Sequence, residues 1–204
     1  MTTPLMRDVR TATAADGDAV SAVLAGAFAD DPVFTWMIPD PARRSQLLPA
    51  FFALFTEAFV PLGVSEVVDG RDAITGAALW APPGQQAIRD EDAEEFAGRI
   101  EHIAGADTGR IFEVVSLLEE QHPQADCYYL NFLGVDASRR GGGLGSALLA
   151  NALRRCDGEG QPAYLEATSP LNRRLYARHG FEVVSEVVLP DGPSLWPMWR
   201  DPRN

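Results

Sequence analysis

The sequence predicts an α/β fold in which a mixed central β-sheet is flanked by helices. Three observations carry that prediction. Tyr128–Val135, a glycine-rich turn, a helix over Leu144–Arg155 and a strand over Pro162–Ala167 make a strand–helix–strand unit. Such a unit implies parallel pairing through a right-handed crossover. Hairpin patterns occur at both ends of the chain: Val64–Val68 with Ala73–Trp80, joined by Asp69-Gly70-Arg71-Asp72, and Phe181–Leu189 with Leu195–Arg200. Apolar residues at helical spacing separate these strand blocks.

Val9–Thr11 reads as a short first strand. Thr13 and Asp16 stand at capping-box spacing, with Asp in place of Glu. The helix that follows carries Val20, Val23, Leu24, Ala27 and Phe28, and stops near Asp30-Asp31-Pro32. A loop holding Phe34, Trp36 and Met37 comes next. Pro41 opens a second helix with Leu47, Leu48, Phe51, Phe52, Leu54, Phe55 and Phe59, closed by Gly63. Residues 83–126 read as an acidic helical insertion between the third and fourth strands, with helices over Ile88–Ile103 and Ile111–Leu118. Residues 127–200 form the core that resumes after it, and 1–204 read as one domain. The last core helix has Ser169 as N-cap, Pro170 at its first position and Gly180 just past its end. Leu171 and Leu175, four apart, are expected to face the core, with Asn172 and Tyr176 on the adjoining face.

The chain has 204 residues, 46% apolar and 23% charged, enough to bury a core without disulfide or metal staples. It contains no lysine: all 17 basic residues are arginine. That excludes a Walker-type phosphate loop, a lysine Schiff base and a Ser-x-x-Lys nucleophile. Gly-x-Ser-x-Gly does not occur either. Cys127 and Cys156 are 29 apart, and His102, His122 and His179 are scattered, so no metal site is expected. Met1–Arg10 has no apolar run, and no stretch approaches 18 apolar residues. The expectation is a cytoplasmic chain with no signal peptide and no membrane partner. A net charge of −12 argues against nucleic acid. Residues 86–126 hold 11 acidic residues against three arginines, a pattern expected of a solvated helix face.

The most informative stretch is Arg139-Arg140-Gly141-Gly142-Gly143-Leu144-Gly145-Ser146, which ends a strand and opens a helix. Glycines there let backbone N–H groups approach a ligand, and the helix N-terminus adds positive potential, so an anion such as a pyrophosphate is suited. Gly-x-Gly-x-x-Gly fails, because Ser146 stands where the third glycine should be. Arg140, Gly143 and Gly145 make Arg-x-x-Gly-x-Gly instead. That motif, with Leu130-Asn131-Phe132-Leu133-Gly134-Val135 before it and Asn172-x-x-x-Tyr176-x-x-x-Gly180-Phe181 after it, resembles the GCN5-related N-acetyltransferase (GNAT) superfamily. Within it, the runs Gly143–Ala147, Tyr164–Thr168 and Pro190–Pro193 are similar to a puromycin N-acetyltransferase-like group of actinobacterial enzymes.

The resemblance implies a GNAT-like fold and acetyl-CoA as co-substrate. Pantetheine would pair with the backbone of Leu133 and Val135, and Gly134 is the expected place for a bulge or splay. Arg140 and the amides of Gly141, Gly142, Gly143, Leu144, Gly145 and Ser146 would hold the pyrophosphate, with Arg139 or Arg173 available to the 3′-phosphate. Asn172 would face the cofactor, and Tyr176 would protonate the departing thiolate. Glu166, mid-strand, is a candidate base for the substrate ammonium, or else the partner of an arginine in an ion pair. Asp30, Phe34, Trp36, Trp80 and Asn131, with Asp31, Trp196 and Tyr129, would line an acceptor cleft for an amine with an apolar body. His179 reads as a partner of its helix dipole.

The reading is therefore an N-acetyltransferase of a small primary amine, acting by direct attack on the thioester, as a monomer or homodimer. The alternatives are a non-catalytic acyl-CoA-binding or regulatory module and an acetyltransferase of protein amines.

Overall fold

A computed structural model describes residues 8–71 and 73–203. The N-terminal residues before Asp8, and Asp72 of the expected hairpin turn, lie outside them. Chain order is β1 (Val9–Thr11), α1 (Gly17–Phe28), α2 (Pro32–Met37), α3 (Pro41–Phe59), β2 (Glu66–Asp69), β3 (Ile74–Ala81), α4 (Ala93–Ala104), α5 (Thr108–Glu119), β4 (Tyr128–Val135), α6 (Leu144–Gly158), β5 (Ala163–Ala167), α7 (Pro170–Arg178), β6 (Glu182–Val183), β7 (Val187–Val188) and β8 (Ser194–Arg200). The sheet runs β1-β2-β3-β4-β5-β8-β6, with β7 also on β8. The parallel pair is β4 with β5, as the strand–helix–strand pattern predicts, and the other pairs are antiparallel.

Side chains alternate across the sheet, and each face has its own core. On one face, α1–α5 bury Leu24, Phe28, Phe34, Phe51, Phe52, Phe55, Ala77 and Leu79. Phe132 of β4 points into the same cluster, with ring centroids 5.0 Å from Phe52 and 5.1 Å from Phe55. On the other face, α6 and α7 bury Trp80, Leu130, Leu148, Leu149, Leu165 and Tyr176. The glutamates Glu94, Glu95, Glu101, Glu113, Glu119 and Glu120 stay exposed on α4 and α5, while Ile100, Ala104, Ile111 and Val114 turn inward.

Four expectations are corrected. The segment after Pro32 is the short helix α2, not a loop. Asp31 is its N-cap, accepting from Val33 N at 2.9 Å and Phe34 N at 3.3 Å, and Pro32 is its first residue. The Asp-Pro pair therefore starts a helix as well as following one. Phe181–Leu189 is not one strand, because pairing with β8 is broken into β6 and β7. Leu171 is 73% exposed; in a nine-residue helix the buried stripe takes Leu175 and Tyr176 and leaves Leu171 at the rim. Finally, Pro41–Leu62 is long and apolar enough to cross a membrane, contrary to the composition reading. In this fold it is the core helix α3 with the turn after it. Its buried Arg44 donates to Ala29 O and Ile38 O, carbonyls at the ends of α1 and α2.

Candidate active site

The cleft is made by an interruption in the sheet. β4 and β5 pair at Tyr128–Ala163, Tyr129–Tyr164 and Leu130–Leu165. Beyond that point β4 continues to Val135 beside β3 alone, and Glu166 and Ala167 pair only with β8. The strands part there, as expected for the backbone of Leu133 and Val135. The expected reason was different. Gly134 pairs regularly with Ala77, and the register slips instead between Leu79 and Trp80, leaving Asn131 as the extra residue of β4. Gly134 is glycine because α1 lies on it: a Cβ there would sit 2.8 Å from Ala27 Cβ and 2.9 Å from Leu24 Cδ2.

The glycine turn sits at the mouth of this opening. Gly141 and Gly143 have φ of 73° and 78°, a left-handed conformation that glycine adopts without strain. Gly143 is the N-cap of α6, and Ala147 N is the first amide to close on a carbonyl one turn back, Gly143 O at 3.1 Å. The amides of Leu144, Gly145 and Ser146 are thus available to an anion, and the helix N-terminus favours one. A Cβ on Gly142 would lie 3.0 Å from Arg139 O, and one on Gly145 would lie 3.4 Å from Leu133 Cδ2 and Leu175 Cδ2. The turn therefore fits a pyrophosphate on its backbone. Arg140 reaches elsewhere, donating to Ala27 O at 2.8 Å and tying the turn to α1. Arg173 stacks 4.7 Å from the Trp196 ring centroid, and Arg139 is exposed. His179 Nε2 lies 3.1 Å from Ser146 Oγ, so it braces the first turn of α6, a contact with a residue the dipole reading did not include.

Around the last β4–β5 pair a polar group collects on the α1 side of the sheet. Tyr129 Oη donates to Glu166 Oε2 at 3.0 Å and accepts from Asn131 Nδ2 at 3.0 Å. His122 packs edge-on against the rings of Tyr129 and Tyr164. No arginine reaches Glu166 among the described residues, so the ion-pair alternative fails. Burial pushes the Glu166 carboxyl up to about 7, against the opposing hydrogen bond from Tyr129 and the nearby Tyr164 hydroxyl, which itself points to Gln121 O at 3.4 Å. Burial and the charges of Asp31 and Glu166 raise the Tyr176 hydroxyl, so it holds its proton at neutral pH. Asp31 is buried, and its Oδ2 accepts from Thr168 Oγ1, which in turn accepts from Asn172 Nδ2 at 3.5 Å. This joins the start of α2 to the start of α7.

The structure divides the expected acceptor residues. Asn131 is in the polar group. Asp30 is exposed, and its neighbour Asp31 is the carboxylate that turns inward. Phe34 belongs to the phenylalanine core. Trp80 is fully buried on the opposite face beneath α6, so it cannot line the cleft. Trp36 is held by Pro190 O at 3.1 Å and by Arg110, 5.2 Å from its ring centroid. Tyr129 is the central residue that the motif reading placed only at the margin. Its period-2 relation to Asn131 was the available signal.

Residues 69–181, more than half of the chain, match the model of the acetyltransferase (GNAT) family. The chain belongs to this family. It is similar to a Corynebacterium glutamicum structure described as histone acetyltransferase HPA2 and related acetyltransferase, with 31% identity, 97% of each chain covered and a TM-score of 0.74. An uncharacterised N-acetyltransferase of Schizosaccharomyces pombe is 28% identical over 189 residues, covering 86% of this chain and 74% of the relative. Arylalkylamine N-acetyltransferase 2 from Aedes aegypti shares the fold at 18% identity, with 97% and 100% of the two chains covered and a TM-score of 0.66. The protein is a GNAT N-acetyltransferase, and enzymes of this family use acetyl-CoA as co-substrate.

Proposed function

We propose that this GNAT enzyme acetylates the primary amine of a small molecule by direct attack on the acetyl-CoA thioester. The observation that carries this reading is a buried, uncompensated carboxylate, Glu166, one residue beyond the point where β4 and β5 part. An amine delivered there meets a base near the open edge of β4, where the backbone of Leu133 and Val135 is free to hold the pantetheine arm.

The reaction balances on this chain's own groups. The arriving ammonium loses one proton to solvent. Its nitrogen lone pair forms the C–N bond, and Glu166 takes a second proton from that nitrogen as the C–S bond breaks. Tyr176 gives its proton to the departing thiolate and recovers one from Glu166 through solvent. The two steps assist each other: once Glu166 is neutral, one of the two charges that hold the Tyr176 proton is gone. The similarity to an enzyme named for arylalkylamines supports a small acceptor, and the histone-acetyltransferase name of the Corynebacterium relative makes a peptide arm worth including.

The test is thiol release from acetyl-CoA with phenethylamine, agmatine, puromycin and a lysine-containing peptide. Thermal shift with acetyl-CoA, against CoA, NADH and ATP, accompanies it. Stabilisation by acetyl-CoA and turnover of at least one small amine are expected. Turnover of the peptide alone would overturn the small-molecule reading.

A further inference from the structure

Two buried acceptors at the site have no donor among the described residues: Asn131 Oδ1 and Glu166 Oε1. Their freedom follows from Tyr129. Its hydroxyl has one proton, and that proton goes to Glu166 Oε2. The hydroxyl must then accept from Asn131, which turns the amide so that Nδ2 faces Tyr129 and Oδ1 is left over. One phenol thereby orients both neighbours and spends their other polar atoms. Asn131 shares a face with Tyr129 by the ordinary alternation of the strand, and the slip in register after it brings Phe132 to that face as well. Leaving two buried acceptors without donors is costly, and a ligand with two N–H groups would satisfy both.

We propose that Tyr129 is a positioning residue that aims Asn131 Oδ1 and Glu166 Oε1 at one nitrogen, so that the site selects primary over secondary amines. The proposal rests on the acetyltransfer reading above and adds the residues of this chain that read the acceptor's substitution state. A neutral primary amine carries two N–H groups and a lone pair. With one N–H on Asn131 and the other on Glu166, the lone pair is left to attack the thioester carbonyl. When the C–N bond forms, Glu166 removes its proton, and the product amide keeps the other N–H on Asn131. An N-methyl amine has a single N–H, so one acceptor stays buried and unpaired. A site built around a hydrogen bond rejects an analogue that lacks it.

The groups that face Glu166 are Tyr129 and Cys127 from the β4 side, Tyr164 from β5 and Tyr176 from α7. His122 packs edge-on against Tyr129 and Tyr164, and Asp31 lies beyond Tyr176. Of these, Tyr129 donates directly to the carboxylate.

The experiment compares kcat/KM for phenethylamine, n-pentylamine and agmatine with that for their N-methyl derivatives, across pH, in the wild type, N131A and Y129F. The wild type is expected to prefer the primary amine by about tenfold or more. N131A should bring that ratio close to one and leave the acid limb of the pH profile in place. Y129F should lower the ratio and also move the acid limb to higher pH, because the carboxylate loses a donor. Equal use of primary and N-methyl amines by the wild type would overturn the proposal while leaving acetyltransfer intact. So would an N131A enzyme that keeps the wild-type ratio, or a Y129F enzyme whose acid limb does not move. Turnover of no amine at all would overturn the acetyltransfer reading and this proposal with it.

Discussion

Glu66 and Glu166 are buried carboxylates in one sheet, and their surroundings differ in one respect. Glu66, on β2 beneath α6, is 1% exposed. Its Oε1 accepts from Asn151 Nδ2 at 2.9 Å and from Arg155 at 3.3 Å. Arg155 is itself placed by Val64 O at 3.0 Å and by the Tyr128 ring, 5.3 Å from the guanidinium to the centroid. Glu166, on the other face, has the Tyr129 hydroxyl and no cation. Burial lifts both carboxyl groups, but at Glu66 the arginines Arg155 and Arg154 and the amide of Asn151 oppose it. A carboxylate with its counter-charge built in is a structural part. One left without a counter-charge is held ready for a proton or for a cation that arrives from outside.

The sharpest way to break this contrast is to neutralise the carboxylate of Glu166. Glu166→Gln is expected to lower kcat/KM for the amine by about 10²- to 10⁴-fold, with acetyl-CoA still raising the melting temperature. Retention of full activity would remove the distinction between the two carboxylates. The reciprocal change is Arg155→Met, which strips Glu66 of its cation. It should cost about 2–3 kcal/mol in urea unfolding, less than a fully buried pair, since Arg155 remains partly in solvent. The rate per folded molecule should stay unchanged. A smaller effect concerns stability against pH. The Glu166 carboxyl rises from 4.5 to about 7 on folding, so the folded state holds its proton more tightly than the unfolded chain does. The cost of ionising it is absent below pH 4.5, grows as pH rises, and is complete above 7. Glu166→Gln should therefore melt roughly 3–6 °C above the wild type at pH 8, with the gap closing by pH 4.5. A gap that persists at low pH would assign the gain to packing instead.

The two halves of the site differed in how much the sequence disclosed. The glycine turn and the start of α7 were readable because their requirements are local. Left-handed backbone at Gly141 and Gly143, and the Ser169-Pro170 start of α7, are fixed by a few adjacent residues. Strand Tyr128–Val135 was also read with its observed limits. The polar group around Glu166 depends on distant encounters. Tyr129 and Asn131 are neighbours by strand alternation, but Glu166 meets them only when β4 and β5 pair, and no local pattern announces that register. Trp80 shows the same limit from the other side, since period 2 along β3 does not say which face is the cleft. Gly134 does not mark the irregularity of β4: it is glycine because Leu24 and Ala27 of α1 lie against it, and a contact so distant in the chain leaves no local sign. The N-cap role of Asp31 is hidden because Asp-Pro ends one helix and begins another, and the two signals overlap.

The last pair joining β4 to β5, Leu130 with Leu165, also acts as a ruler. Strand residues advance about 3.3 Å each, so one further pair would bring the closed end of the gap that much nearer its mouth. The reach of any arm entering from the glycine turn is thus counted in whole residues of hydrogen bonding. Glu166 stands one mark beyond the stop. The two leucines that set the scale turn their side chains to the α6 face, so they gauge the depth of the gap from outside it.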